Sequence, residues 1–125
     1  ELYDHLIVDD LISGLENYKE NIDLFISSDV LIYVGELEKL FETIKKYATD
    51  QALFVFSTEH KEGNGYALLK TGRYSHSKSY IHQVSRKYDF EIVAFEEGKL
   101  RKEKGSFLIS GHYILKCKYF MIAIT

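Results

Sequence analysis

Three polar clusters in this sequence each follow directly on a short apolar run. Asp9-Asp10 follows Leu6-Ile7-Val8, Ser27-Ser28-Asp29 follows Leu24-Phe25-Ile26, and Ser57-Thr58-Glu59-His60 follows the run from Ala52 to Phe56. Carboxylates, hydroxyls and an imidazole placed this way can bind polar ligands and move protons. Asp and Ser at the start of a helix also cap it, so each cluster alone admits a structural part. A fourth constellation, Arg73-Tyr74-Ser75-His76-Ser77, precedes a helical pattern. Arg73 can hold a carboxylate or phosphate with two parallel hydrogen bonds. His76 can act as a general base, because imidazole titrates near neutrality. The alternative for this segment is a solvated loop with Ser77 as a helix cap.

The apolar runs are continuous rather than alternating, which suits strands of a parallel sheet covered on both faces. Helical patterns separate them. Leu11, Ile12, Leu15 and Tyr18 fit a short helix capped by Asp10. Leu37, Leu40, Phe41, Ile44 and Tyr47 repeat at helical spacing, with Glu36 and Glu38 leading and Lys45 and Lys46 trailing, as the helix dipole favours. Strand, helix, strand, helix, strand implies right-handed crossovers and an α/β sheet. In such a sheet ligands bind beyond the carboxyl ends of the strands, which is where all three clusters fall.

Beyond His60 the pattern changes. Lys61 to Thr71 reads as a loop, Ser77 caps a helix carrying Tyr80, Ile81, Val84 and Tyr88, and Phe90 to Phe95 reads as a strand. Glu96 to Gly105 reads as a charged connection, and Phe107 to Tyr119 contains a final strand. No helix separates these last two strands, so they should pair antiparallel. Phe120 to Ile124 forms an apolar tail.

The chain has 125 residues, one domain's length, with 46% apolar and 28% charged residues. Its net charge of −3 gives no footprint for nucleic acid. Lys99, Arg101, Lys102 and Lys104 gather near one another, but Glu96, Glu97 and Glu103 dilute them into a solvated loop. Cys117 is the single cysteine, in a strand-like setting that suits a buried thiol. No apolar run reaches transmembrane length and no signal peptide is visible, so a cytoplasmic protein without membrane contact is expected. His5, His82 and His112 are scattered and read as surface or core residues. His60 and His76 do not form a metal-binding spacing, and no metal is expected.

The stretch Asp29-Val30-Leu31-Ile32-Tyr33-Val34-Gly35-Glu36-Leu37-Glu38, the run Leu53 to Glu59, and Gly72-Arg73-Tyr74-Ser75-His76-Ser77 together resemble class I S-adenosylmethionine-dependent methyltransferases. The nearest group is the bacterial predicted methyltransferases that often follow tetratricopeptide repeats. The resemblance implies a partial Rossmann-like α/β sheet made of strands 3 to 7 of the family order 3-2-1-4-5-7-6, the last antiparallel, with strands 1 and 2 missing. Leu6–Val8 would be strand 3, Leu24–Ile26 strand 4, Ala52–Phe56 strand 5, Phe90–Phe95 strand 6 and His112–Cys117 strand 7. Residues 1–125 would form the C-terminal portion of one methyltransferase domain.

By the same resemblance the cofactor is S-adenosylmethionine, and methyl transfer goes to a small-molecule or acyl-type substrate. Asp10 would accept from the adenine amino group and the Leu11 backbone would read the ring edge. Ser27 and Ser28 would lie beside the methionine part, with Asp29 near the point of methyl transfer. Glu59, Arg73 and Tyr74 would face the substrate, with His60 or His76 as base. Two departures stand out. No Gly-x-Gly precedes Asp10, and Ala48-Thr49-Asp50-Gln51 replaces the family's Pro-Gly-Gly turn. The chain alone is therefore expected to bind the cofactor weakly or not at all, and to be inactive. It is expected to self-associate, or to pair with the missing half, through the open edge of strand 4 and the apolar tail from Phe120 to Ile124. The alternative is a non-enzymatic remnant that self-associates through that edge.

Overall fold

The computed structural model describes residues 9–18, 20–103 and 106–119. The expected strand Leu6–Val8, His5, Lys104 and the tail from Phe120 lie outside them. The described elements are α1 (Leu11–Tyr18), β1 (Ile22–Ser27), a 3₁₀ turn (Leu31–Tyr33), α2 (Glu38–Tyr47), β2 (Ala48–Lys61), β3 (Tyr66–Leu68), β4 (Tyr74–Ser77), α3 (Lys78–Lys87), β5 (Phe90–Glu103) and β6 (Ser106–Cys117).

Strand β2 is the centre of the sheet. Its first part pairs parallel with β1, from Leu24 opposite Leu53 to Ser27 opposite Phe56. Its end pairs parallel with β4, Glu59 to Lys61 opposite Ser75 to Ser77. Along its other side runs β6, antiparallel, and β5 pairs antiparallel with β6. The order β1-β2-β6-β5 is thus two parallel strands followed by an antiparallel hairpin, the mixed α/β arrangement expected from the element pattern.

Helix α2 forms where the spacing predicts, and its apolar stripe turns Leu40, Phe41 and Ile44 inward. Phe41 is the pin: its ring stands edge-on to Phe54, Phe56 and Phe90 at 5.5, 6.1 and 5.6 Å. Such aromatic pairs each add about 1 kcal/mol beyond the area they bury. Ile81 and Val84 of α3 join the same core, and α1 packs on α2. Cys117 is fully buried at the end of β6, with Lys45 Nζ 3.3 Å from its sulfur.

The structure departs from the sequence reading in three places. Gly72–Ser77 is not a plain loop: Tyr74–Ser77 is a strand, and Tyr66–Leu68 within the expected loop pairs with it as β3. The charged stretch from Glu96 is no connection either, because it continues β5 to Glu103 in a hairpin with β6. Both are polar strands, so they carry no apolar signature. Finally, only one sheet face is covered by the described helices. The opposite face presents Leu24, Ile26, Leu53, Val55 and Ile114; Leu24 is 51% and Ile26 70% exposed.

Candidate active site

Because β1 and β2 run parallel and in register, their polar ends arrive together. Ser27 lies opposite Phe56, so Ser28 and Asp29 lead away beside Ser57 and Thr58. Asp29 takes a left-handed backbone, φ 55°, which Asp tolerates better than most residues. That bend aims its amide at Ser57, and Asp29 N donates to Ser57 Oγ across 3.2 Å. Ser27 Oγ is buried without a hydrogen-bond partner.

Two hollows meet at this junction. A niche at the strand ends is lined by Asp29, Ser57, Thr58, Glu59, Arg73 and His112. A shallow cleft of about 350 Å³ extends from it along the bare sheet face, past Ser27, Ser28, Ser57 and Glu96. His112 lines both. It faces Ser57 across the β2–β6 ladder, and its Nε2 lies 2.8 Å from Ser110 Oγ. Scattered histidines gave no hint of this in the sequence. Only the β2–β6 register, which pairs Ser57 with His112, could have found it.

Glu59 and Arg73 come together as the strand ends require. Arg73 Nε donates to Glu59 Oε2 across 3.0 Å, with the two side chains 16% and 6% exposed. Tyr74 packs its ring over Gly35, where an added Cβ would stand 2.6 Å from Tyr74 Cε1. His76 is fully buried, and its Nε2 lies 2.9 Å from the Gly35 carbonyl oxygen. Burial pushes its imidazole below the usual range, against the bonds to Gly35 and Val34 that favour the charged form. His76 therefore braces two loops, and solvent does not reach its ring. His60 is also turned away from the niche, its Nε2 3.1 Å from Glu97 and 3.4 Å from Glu62.

At the other candidate position Asp10 caps α1, its Oδ1 accepting from Ser13 N at 3.0 Å. This bond and the Ser13 hydroxyl hold its carboxyl below the usual carboxylate value. Leu11 is exposed at the first turn of the helix. Ser77 caps α3 as expected, accepting from Tyr80 N at 3.1 Å. Among the described residues no helix is long and apolar enough to cross a membrane.

No protein-family model matches the sequence, and no curated protein matches it. Solved structures do match. A SAM-dependent methyltransferase from Methanosarcina mazei superposes with a TM-score of 0.61 at 11% identity, over 80% of this chain and 62% of that one. The N-methyltransferase NodS from Bradyrhizobium japonicum, in complex with S-adenosyl-L-homocysteine, gives 0.56 at 12% identity, over 79% and 47%. Magnesium protoporphyrin IX methyltransferase from Synechocystis, with bound SAM, gives 0.58 at 18% identity, over 83% and 43%. The chain thus spans less than two-thirds of the length of each. What these likenesses share with the strand order and helix placement above is the fold, and the chain has the Rossmann-like α/β fold of the SAM-dependent methyltransferases.

Proposed function

We propose that this chain is the acceptor-presenting part of an S-adenosylmethionine-dependent methyltransferase, acting on a small-molecule or acyl-type substrate. The observation that carries the reading is the junction of Ser27-Ser28-Asp29 with Ser57 at the carboxyl ends of two adjacent parallel strands. The partnerless Ser27 Oγ beside a bent Asp29 fits the polar methionine end of the cofactor. Asp10 and Leu11 are assigned to the adenine, and Ser27, Ser28 and Asp29 to the methionine part and the transfer point. When bound, the cofactor supplies an electrophilic methyl group on a sulfonium.

The chain's own residues hold the acceptor in line with that methyl group, and placement is the main catalytic term. Arg73, oriented by its ion pair with Glu59, is assigned to an anionic substrate group at the niche, with Tyr74 beside it. Where the acceptor carries a proton that must leave, His112 takes it, since His60 and His76 have buried rings. With the acceptor so placed for the methyl group the cofactor would supply, the His112 imidazole would hold the proton the acceptor gives up.

The test is amide mapping. S-adenosylhomocysteine added at roughly 1 mM to the ¹⁵N-labelled chain is expected to shift the signals of Asp10, Leu11 and Ser27 to Asp29, with no binding in the micromolar range. Shifts confined to other residues, or none, would overturn the assignment.

A second reading, a non-enzymatic piece that self-associates through its sheet edge, is favoured by a separate observation. Among the described residues β1 pairs only with β2, and its Leu24 and Ile26 are exposed. An open edge of this kind is a template for a second chain. Light scattering is expected to show a dimer or larger species that Ile26→Lys reduces to monomer. A monomer at high concentration counts decisively against this reading.

A further inference from the structure

His60 sits near the end of β2 with its side chain 5% exposed, its ring 5.9 Å from that of Phe95. Burial at this depth fixes the direction of the ring. Its Nε2 faces two carboxylate oxygens, one from Glu62 in the turn after β2 and one from Glu97 on β5. The three atoms lie within 4.8 Å of one another. One proton on Nε2 makes a single good hydrogen bond and leaves the second carboxylate facing the first. A cation between them would satisfy all three.

Ligand atoms held about 2.1 Å from a tetrahedral metal ion stand about 3.4 Å apart. The imidazole-to-carboxylate distances here are 3.1 and 3.4 Å. One imidazole with two carboxylates suits borderline divalent ions better than magnesium or calcium, which prefer oxygen alone. We propose that His60, Glu62 and Glu97 form a site for one divalent transition-metal ion of the zinc type. The site lies beside β2 and apart from the niche at Asp29 and Ser57. Glu62, 89% exposed, leaves the ion open to solvent on one side, so the site has room for a water ligand. The sequence hides it because its three residues share no motif.

The experiment uses the metal-free, tag-free chain near neutral pH, titrated with Zn²⁺ by calorimetry and with Co²⁺ by visible absorption. One equivalent is expected to bind, with the Co²⁺ spectrum of a site of low coordination number. Glu62→Gln and Glu97→Gln are each expected to weaken binding about tenfold or more, and His60→Ala to abolish it. Both glutamates are exposed enough for these variants to keep the fold, which circular dichroism checks. His112→Gln is expected to bind as the parent does. The competing arrangement is an imidazolium paired with both carboxylates and no ion. It predicts no saturable one-equivalent binding up to about 1 mM, and that result overturns the proposal. Equal binding by the parent and both glutamine variants also overturns it.

Discussion

The Nε2 of His76 lies 2.9 Å from the carbonyl oxygen of Gly35, and this bond ties together two segments far apart in sequence. Asp29 to Gly35 and Gly72 to Ser77 are the stretches whose residues carry the family resemblance. In the fold they are a single lock: Tyr74 covers the Gly35 Cα while His76 holds its carbonyl.

That lock has no room for a methyl group. Gly35→Ala would place a Cβ 2.6 Å from Tyr74 Cε1 and 3.0 Å from Tyr66 Cε2. Overpacking of this kind costs about 2 kcal/mol. Urea unfolding is expected to show that loss, and an unchanged midpoint would mean that the Tyr74 ring gives way freely.

Burial of the His76 ring makes stability depend on pH. His76 is held below its unfolded value by burial. As the pH falls through about 6.5, the unfolded chain gains a proton at this position that the folded chain refuses. Its contribution therefore declines with falling pH until the lower folded value is reached, by at most about 1.4 kcal/mol per pH unit. His76→Gln keeps a donor for the Gly35 carbonyl and does not titrate. The stability difference between parent and variant should move in the variant's favour between pH 7.5 and 5.5, read as urea midpoints. A constant difference would show that His76 is not the group responsible.

Arg73 and Glu59 form a pair with little exposure to water. Removing the guanidinium alone leaves a buried carboxylate without its partner, which costs about 3 kcal/mol. Arg73→Ala is expected to unfold that much more readily, and adding Glu59→Leu to recover at least about 1 kcal/mol of it. Full additivity of the two changes would mean that the pair does not couple.

Gln51 occupies a left-handed backbone position, φ 71°, near the start of β2. A side chain there costs roughly 1 kcal/mol, partly offset by the flexibility glycine gives the unfolded chain. Gln51→Gly is expected to raise stability by about 0.5 kcal/mol. A lower melting temperature would contradict the strain argument.

Sequence pattern made α2 and the β1–β2 crossover legible, because Leu40, Phe41 and Ile44 on one side and Phe25, Phe54 and Phe56 on the other must be buried somewhere. It missed β4, since Tyr74-Ser75-His76-Ser77 is polar and three of the four residues are buried through hydrogen bonds or small size. It missed the length of β5 because charged residues from Glu96 onward leave no alternation to read. The clusters at Ser27 and Ser57 were visible, while the Glu59–Arg73 pair and the place of His112 follow from strand register alone. Glu59 and His112 sit on strands, and Arg73 just before one, whose neighbours are set by long-range pairing rather than by local spacing.

The hairpin of β5 and β6 outruns the sheet that supports it. Strand β2 accompanies β6 only as far as Ser110, opposite Glu59, and beyond the Ser110–Gly98 bond the two strands pair only with each other among the described residues. A two-stranded ribbon in water is marginal by itself. The amides from Lys99 to Glu103 and from Ser106 to Ile109 should therefore trade hydrogen for deuterium on a much shorter clock than those at Phe54 and Tyr113, where neighbouring strands close both sides. Protection along a single strand would then mark, residue by residue, where the third strand ends.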